Sequence, residues 1–180
     1  MSNLLPPAVK NNISVDISIK SQSWNYINFN AYQYCKHVTK IVINNVLRLS
    51  NNDQVIEVSL LLADNSILHG LNKEYRSIDK PTNVLSFPHH INGLKDIKES
   101  LKNNEYLFLG DIAISFEKII DESLEYGKPF IEHFSHILIH GLLHLLGYDH
   151  IDEKEAIIME DMETKIIKKI KLKNIKMSLR

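Results

Sequence analysis

The sequence has little of several features, and each shortage excludes a class of protein. The 180 residues include one cysteine, Cys35, so no disulfide can form within the chain, as is typical of a reducing compartment. No apolar run reaches the roughly 20 residues that a membrane-spanning helix needs. Residues 1–12 lack the apolar core of a signal peptide. The sequence therefore predicts a cytoplasmic protein with no membrane partner.

Charge of one sign is also missing, because the formal net charge is −1. No overall field favours nucleic acid, so any RNA would have to be attracted by a local patch. The 44% hydrophobic and 24% charged residues are typical of a globular protein, and the length favours one domain. We expect a loose leader at residues 1–12, a single domain at 13–172 and a basic tail at 173–180.

Hydrophobic periodicity predicts the secondary structure. Apolar residues alternate with polar ones from Ile13 to Ile19, which indicates a half-buried strand. Three further strands are predicted at 55–63, 83–87 and 107–114, and helices at 31–49, 66–75, 116–126, 129–146 and 153–172. The polar segment 89–105 is expected to be irregular. This order predicts an α+β fold, with a small mixed sheet of about four strands and about five helices.

Three histidines near the end of a long apolar helix carry the clearest chemical signal. His140 and His144 are four residues apart, so they project from one helix face, one turn apart. Gly147 is placed to end the helix in a left-handed conformation, which would return His150 to the same point. Three imidazoles with an open fourth position are typical of a catalytic zinc site. The spacing predicts one Zn²⁺ per chain, because three buried imidazoles without partners would be costly.

Two neighbouring positions limit this interpretation. His136 also precedes His140 by four residues, but 136, 140 and 144 on one straight helix span about 12 Å, too far to share an ion at about 2 Å. Two alternatives remain open for His136: a place in the wall of the pocket or a position in the core. Gly141 stands where zinc peptidases, with their H-E-x-x-H motif, carry the general base. General-base catalysis is worth about 10²–10⁴-fold, so its loss weakens a peptidase or amidase alternative.

The string H-G-L-L-H-L-L-G-Y-D-H from His140 to His150 resembles the signature of the bacterial YbeY family of endoribonucleases. Two earlier segments resemble the same family in the same order: L-N-K-E-Y-R with D-K-P-T-N-V-L-S-F between residues 71 and 87, and L-G-D-I at 109–112. The resemblance runs from about residue 59 to 164. Asn83 departs from it, because many members carry Asp there, and 89–105 and both ends match less well.

This resemblance implies a zincin-like fold with zinc bound by His140, His144 and His150. It also implies a single-strand-specific endoribonuclease that acts in small-subunit (16S) ribosomal RNA maturation and ribosome quality control. Arg76 matches the functional arginine of the family, so Arg76 and His140 are the implied catalytic residues. The implied partners are single-stranded RNA, ribosomal RNA, and the small ribosomal subunit or its assembly factors. DNA is not expected.

Several alternatives stay open at this point. Arg76 has the planar fork that grips a phosphate with two hydrogen bonds, and the alternative is a surface residue at a helix end. Asp149 could orient a metal-bound imidazole or bond its own backbone in a turn. The last helix starts acidic and ends basic, which complements the helix dipole, although its basic end could also contact RNA. A zinc-stabilised assembly factor that binds RNA without cutting it is the non-enzymatic alternative.

Overall fold

A computed structural model describes residues 12–27, 29–49, 54–103 and 106–170. The elements, in chain order, are β1 (Asn12–Ile19), a 3-10 helix (Gln22–Tyr26), α1 (Ala31–Leu47), β2 (Val55–Ala63), α2 (Asn65–Arg76), β3 (Val84–Pro88), α3 (Leu94–Asn103), β4 (Tyr106–Ser115), α4 (Phe116–Glu125), α5 (Phe130–Leu145) and α6 (Glu153–Lys169). The expected leader and tail lie outside the described residues, apart from Asn12, which begins β1. No described helix is both long and apolar enough to cross a membrane.

The four strands form one mixed sheet in the order β1-β2-β4-β3. β1 and β4 both pair in parallel with β2, whereas β3 pairs antiparallel with β4 and forms an edge. β3 ends at Pro88, which cannot donate a hydrogen bond to a sheet ladder. The predicted α+β class and single mixed sheet are therefore confirmed. The edge strand β3 lies beside α5, which carries the histidines.

Helix α5 is the centre of the hydrophobic core. Twelve of its 16 residues are buried, which is typical of a helix that is apolar on all sides and enclosed by its neighbours. It packs on β3 and β4 and is covered by α1, α4 and α6. On the opposite face of the sheet, α2 covers a smaller cluster of Ala63, Leu68, Leu85 and Ala113. The sheet and the surrounding helices therefore hold α5 rigidly in place.

An aromatic cluster fixes the start of α5. The ring of Trp24 lies 5.2 Å from the rings of Phe116 and Phe134 and 6.2 Å from that of Phe130. Its indole N–H donates to the carbonyl oxygen of Ala63 at 3.0 Å, so its polar atom is satisfied although the side chain is buried. This packing joins the 3-10 helix, α4 and α5, and it sets the direction in which α5 runs toward its histidines.

Helix α3 lies within the segment that the sequence led us to expect as irregular. Ile97 is fully buried and Leu101 packs against the core, while most of the remaining helix surface is polar. The carboxylate of Asp96 in its first turn accepts the backbone N–H of Asn92 at 3.1 Å. Two core contacts in ten residues are too weak a periodic signal to predict a helix from the sequence. Packing against β4 stabilises α3, which is one helix more than the five that we expected.

Candidate metal centre and active site

The end of α5 and the turn after it bring three histidines together. His140 and His144 lie one turn apart on α5, and the helix ends one residue after His144. Gly147 then takes a left-handed conformation with φ of 84°, and its N–H donates to the carbonyl oxygen of His144 at 3.0 Å. The chain reverses there and places His150 against the other two rings, with ring-centre distances of 5.4 Å to His140 and 5.1 Å to His144.

A backbone crossing holds this turn in place. A Cβ atom on Gly147 would lie 2.4 Å from the Cα of Gly93 and 2.7 Å from the backbone nitrogen of Leu94. Both contacts are with backbone, which cannot move aside as a flexible side chain could. The segment that enters α3 therefore packs directly on the turn between His144 and His150, and only glycine fits at position 147.

The three imidazoles could hold a metal ion. One ring nitrogen from each of His140, His144 and His150 lies within 4.8 Å of the other two, and the Nε2 atoms of His140 and His144 are 3.1 Å apart. Two nitrogens around a tetrahedral ion at about 2.0–2.1 Å would be separated by about 3.3 Å. The separation between His140 and His144 matches such an ion, and a ring nitrogen of His150 lies within 4.8 Å of both. Among the described residues, no other cluster of three histidine, cysteine or acidic side chains meets this condition.

Protonation also favours metal binding at this site. Burial lowers the pKa of His144, and the neighbouring charges of His140 and His150 lower it further. The neutral imidazole, which is the form that binds a metal, is therefore favoured. In His140 the Nδ1–H donates to Oε1 of Glu163 at 2.8 Å, which leaves the lone pair of Nε2 free to face His144.

Arg76 lines the same cleft as the three histidines. It is the last residue of α2, with an exposed side chain, and the cleft of about 510 Å³ extends from it across β3 to the imidazoles. Lys73, one turn earlier, bonds the carboxylate of Asp79 at 3.1 Å. Within the part of the chain that the structure describes, no ion pair engages Arg76. Its guanidinium is therefore available to a ligand in the cleft.

Gly141 marks where α5 presses against the sheet. A Cβ atom there would lie 3.1 Å from the Oγ of Ser86 and 3.2 Å from the Cγ2 of Ile112. The Ser86 hydroxyl donates to the Gly141 carbonyl oxygen at 3.3 Å. A side chain at this position would require Ser86 and Ile112 to shift by a few tenths of an ångström at its Cβ alone, so the packing disfavours the general base of a zinc peptidase here.

The carboxylate that contacts a candidate metal ligand comes from Glu163, which bonds His140 and which the sequence did not lead us to expect. Asp149 instead accepts the backbone N–H of His150 at 2.8 Å, which is the turn role. Glu163 is buried on α6 together with Met159 and Ile166. The sequence did offer a signal, namely an acidic residue at the helical spacing of buried apolar residues. Because buried acids without a partner are rare, such a residue indicates a bonded partner.

His136 lies beside the site but does not complete it. Its ring stacks 6.4 Å from that of His140, and it lines a second cavity with Glu163 and His150 on the α6 side. Its position matches the pocket-wall alternative. Further back on α5, His133 is buried and bonds Glu122 of α4 at 2.7 Å, so it serves the packing of the helices.

Comparison with known proteins places these features in a family. The family model of endoribonuclease YbeY matches residues 18–171. A relative from Ehrlichia chaffeensis, named Endoribonuclease YbeY, is 38% identical over 89% of this chain and 95% of its own length. One of the same name from Paramagnetospirillum magneticum is 37% identical over 86% and 90%. The solution structure of TM1509 from Thermotoga maritima shares the fold, with a TM-score of 0.52 and 22% identity over 86% of this chain and 87% of that one.

Proposed function

The chain belongs to the endoribonuclease YbeY family, and from this membership we propose that it is a zinc-dependent endoribonuclease that cuts single-stranded RNA. The observation that carries the proposal is the cleft itself. Three imidazoles that could hold a metal and one arginine without an ion-pair partner among the described residues line the same cavity. Metal-assisted cleavage of a phosphodiester needs these two elements, a site for a cation and a cationic group for the phosphate.

Zinc is a metal that suits this donor set. The candidate ligands are three ring nitrogens, whereas magnesium and calcium prefer oxygen ligands. Three protein ligands leave a coordination position open, as in catalytic zinc sites. When bound, zinc would supply a Lewis acid that polarises a phosphoryl oxygen or lowers the pKa of a water molecule.

The protein residues divide the remaining work. His140, His144 and His150 would hold the ion, and the buried position of α5 fixes two of them on a rigid element. Arg76 would bind the phosphate with two parallel hydrogen bonds and offset its negative charge. Arg76 and His140 are the proposed catalytic residues. Because the net charge of the chain is only −1, the positive charge of Arg76 in the cleft, and not the charge of the whole surface, would attract RNA.

We further propose that the RNA is ribosomal. The activity would serve small-subunit ribosomal RNA maturation and ribosome quality control in the cytoplasm, with the small ribosomal subunit or its assembly factors as partners. The support is the family membership, together with a cleft that opens at the edge of the sheet beside β3. Unpaired segments of RNA are the usual targets of recognition in such clefts, because their bases and phosphates are accessible.

Cleavage by the purified protein tests the proposal. Zinc-loaded protein should cut a single-stranded RNA, leave a duplex of the same sequence intact, lose activity with a chelator and regain it with zinc. His144→Ala should be inactive, whereas His37→Ala, an exposed histidine on α1, is the matched control and should retain activity. RNA that is bound but never cut would contradict the proposal in favour of an assembly factor. A small-subunit precursor left unprocessed while other single strands are cut would contradict only the ribosomal assignment.

A further inference from the structure

Glu163 is a buried acid that the proposed chemistry does not yet use. It lies on α6 with 9% of its side chain exposed, and its Oε1 atom is 2.8 Å from Nδ1 of His140. Its other oxygen is 3.9 Å from Nε2 of His136. Because a carboxylate inside a protein loses its hydration, its burial requires compensating partners. The hydrogen-bonding partner is His140, a candidate metal ligand, whereas His136 lies at ion-pair distance only.

We propose that Glu163 is a positioning residue of the metal centre, an inference that rests on the proposed metal site. An imidazole presents two nitrogens, and the group bonded to one decides which nitrogen remains for a metal. By accepting the Nδ1–H of His140, Glu163 fixes the ring in one orientation and directs Nε2 toward Nε2 of His144, 3.1 Å away. A carboxylate on the far nitrogen also makes the ligating nitrogen more basic.

The fold gives this contact a second consequence. The chain runs from α5 through the turn that carries His150 and then into α6. The contact between Glu163 and His140 ties α6 back to α5, so both ends of the His150 segment are held. Met159 and Ile166 pack on either side of Glu163 along the same helix face, which limits the rotation of α6. Glu163 thereby positions His140 directly and His150 through the helix.

The chain contains a matched pair that lacks the metal function. His133 lies seven residues before His140 on α5, is buried, and bonds the carboxylate of Glu122 at 2.7 Å. His133 belongs to no cluster that could hold a metal among the described residues. Glu122→Gln therefore removes a partly buried carboxylate–histidine pair of similar length between α4 and α5, and Glu122 contacts none of the candidate ligands, its other hydrogen bond being with the Asn83 amide at 3.0 Å.

Zinc affinity, measured by competition with a chromogenic chelator, tests the inference. We expect Glu163→Gln to weaken zinc binding by about 10–100-fold and Glu122→Gln to leave it unchanged. The visible absorption of the cobalt-substituted protein should change in Glu163→Gln and stay as in the wild type in Glu122→Gln. Glu163→Asp, which keeps the charge but draws the oxygen back, should also weaken binding, and it serves if Glu163→Gln does not fold.

The outcomes separate this inference from the proposed function. A wild-type protein that binds no zinc would overturn the proposed metal site itself. Wild-type zinc affinity in both Glu163→Gln and Glu163→Asp, with normal binding by the wild type, would overturn only the role of Glu163. An equal loss in Glu122→Gln would also overturn it, because the effect would then come from general loosening of the helices.

Discussion

Replacement of Gly147 by alanine perturbs the turn that joins two of the three candidate ligands. The residue has a φ of 84°, and an added Cβ would meet the Cα of Gly93 at 2.4 Å. Two separate costs therefore arise. One is the left-handed conformation itself, and the other is the displacement of two backbone segments that touch with no intervening side chain.

The structure allows the two costs to be added. The left-handed conformation costs a non-glycine residue roughly 1–2 kcal/mol, and forcing extra volume into a packed contact costs roughly 1–3 kcal/mol. The free energy of unfolding should fall by about 2–5 kcal/mol in total. For a domain of this size, about 2–4 °C of melting temperature corresponds to each kcal/mol. We expect a decrease of about 4–20 °C in Gly147→Ala.

Gly127→Ala is the matched control. Gly127 also has a positive φ, 60°, but an added Cβ would meet no atom within 4 Å. It therefore incurs only the conformational cost of roughly 1–2 kcal/mol. Gly127 precedes the start of α5, whereas the candidate ligands lie at and beyond the end of that helix. The zinc affinity of Gly127→Ala should therefore equal that of the wild type. Gly147→Ala should bind zinc more weakly, because the displaced turn carries His150.

Thermal denaturation in the presence of chelator measures the first effect, and chelator competition measures the second. The difference between the two variants isolates the backbone crossing from the cost of the left-handed conformation. Equal melting temperatures for Gly147→Ala and Gly127→Ala would refute the reasoning about the crossing. Unchanged zinc affinity in Gly147→Ala would refute the claim that this turn positions His150.

Four further outcomes are expected. His144→Ala should bind no zinc, so a chelator should no longer lower its melting temperature. The wild type should be stabilised by about 2.7 kcal/mol when the free zinc concentration is 100 times its Kd. Full zinc occupancy in His144→Ala would contradict the ligand assignment. Arg76→Ala should keep its zinc and lose most RNA cleavage, and Arg76→Lys should restore little because a point charge lacks the planar fork; cleavage at the wild-type rate would exclude Arg76 from the site. Lys168 and Lys169 lie in the last turn of α6, where they complement the helix dipole. Neutralising both should therefore leave the salt dependence of RNA affinity unchanged. If the slope of log affinity against log salt concentration became flatter by about one unit or more, the two lysines would instead contact phosphates. Cys35 is fully buried and its pKa is raised to about 12 by that burial, so the folded protein should not react with a thiol reagent at pH 8; rapid labelling would contradict the described packing.

The sequence alone determined the features that depend on neighbours along the chain. Among the described residues, period-2 and helical spacing located the four strands and five of the six α-helices, and β2 has the predicted bounds, Val55–Ala63. The three histidines could be grouped because they lie within 11 residues, on one helix and the turn after it. The left-handed conformation of Gly147 also followed from local chemistry, because glycine adopts it without steric cost.

The tertiary structure alone decided which distant residues meet. Arg76 is 64 residues before His140, and only the resemblance to a family pointed to it until the fold brought both into one cleft. The bond between Glu163 and His140 and the contact between Gly93 and Gly147 depend on how α6 and α3 pack against α5. Periodic patterns report which face of an element is buried, but they do not specify the partner that covers it. That choice follows from packing the whole chain around one core, so these contacts could be found only in the folded molecule.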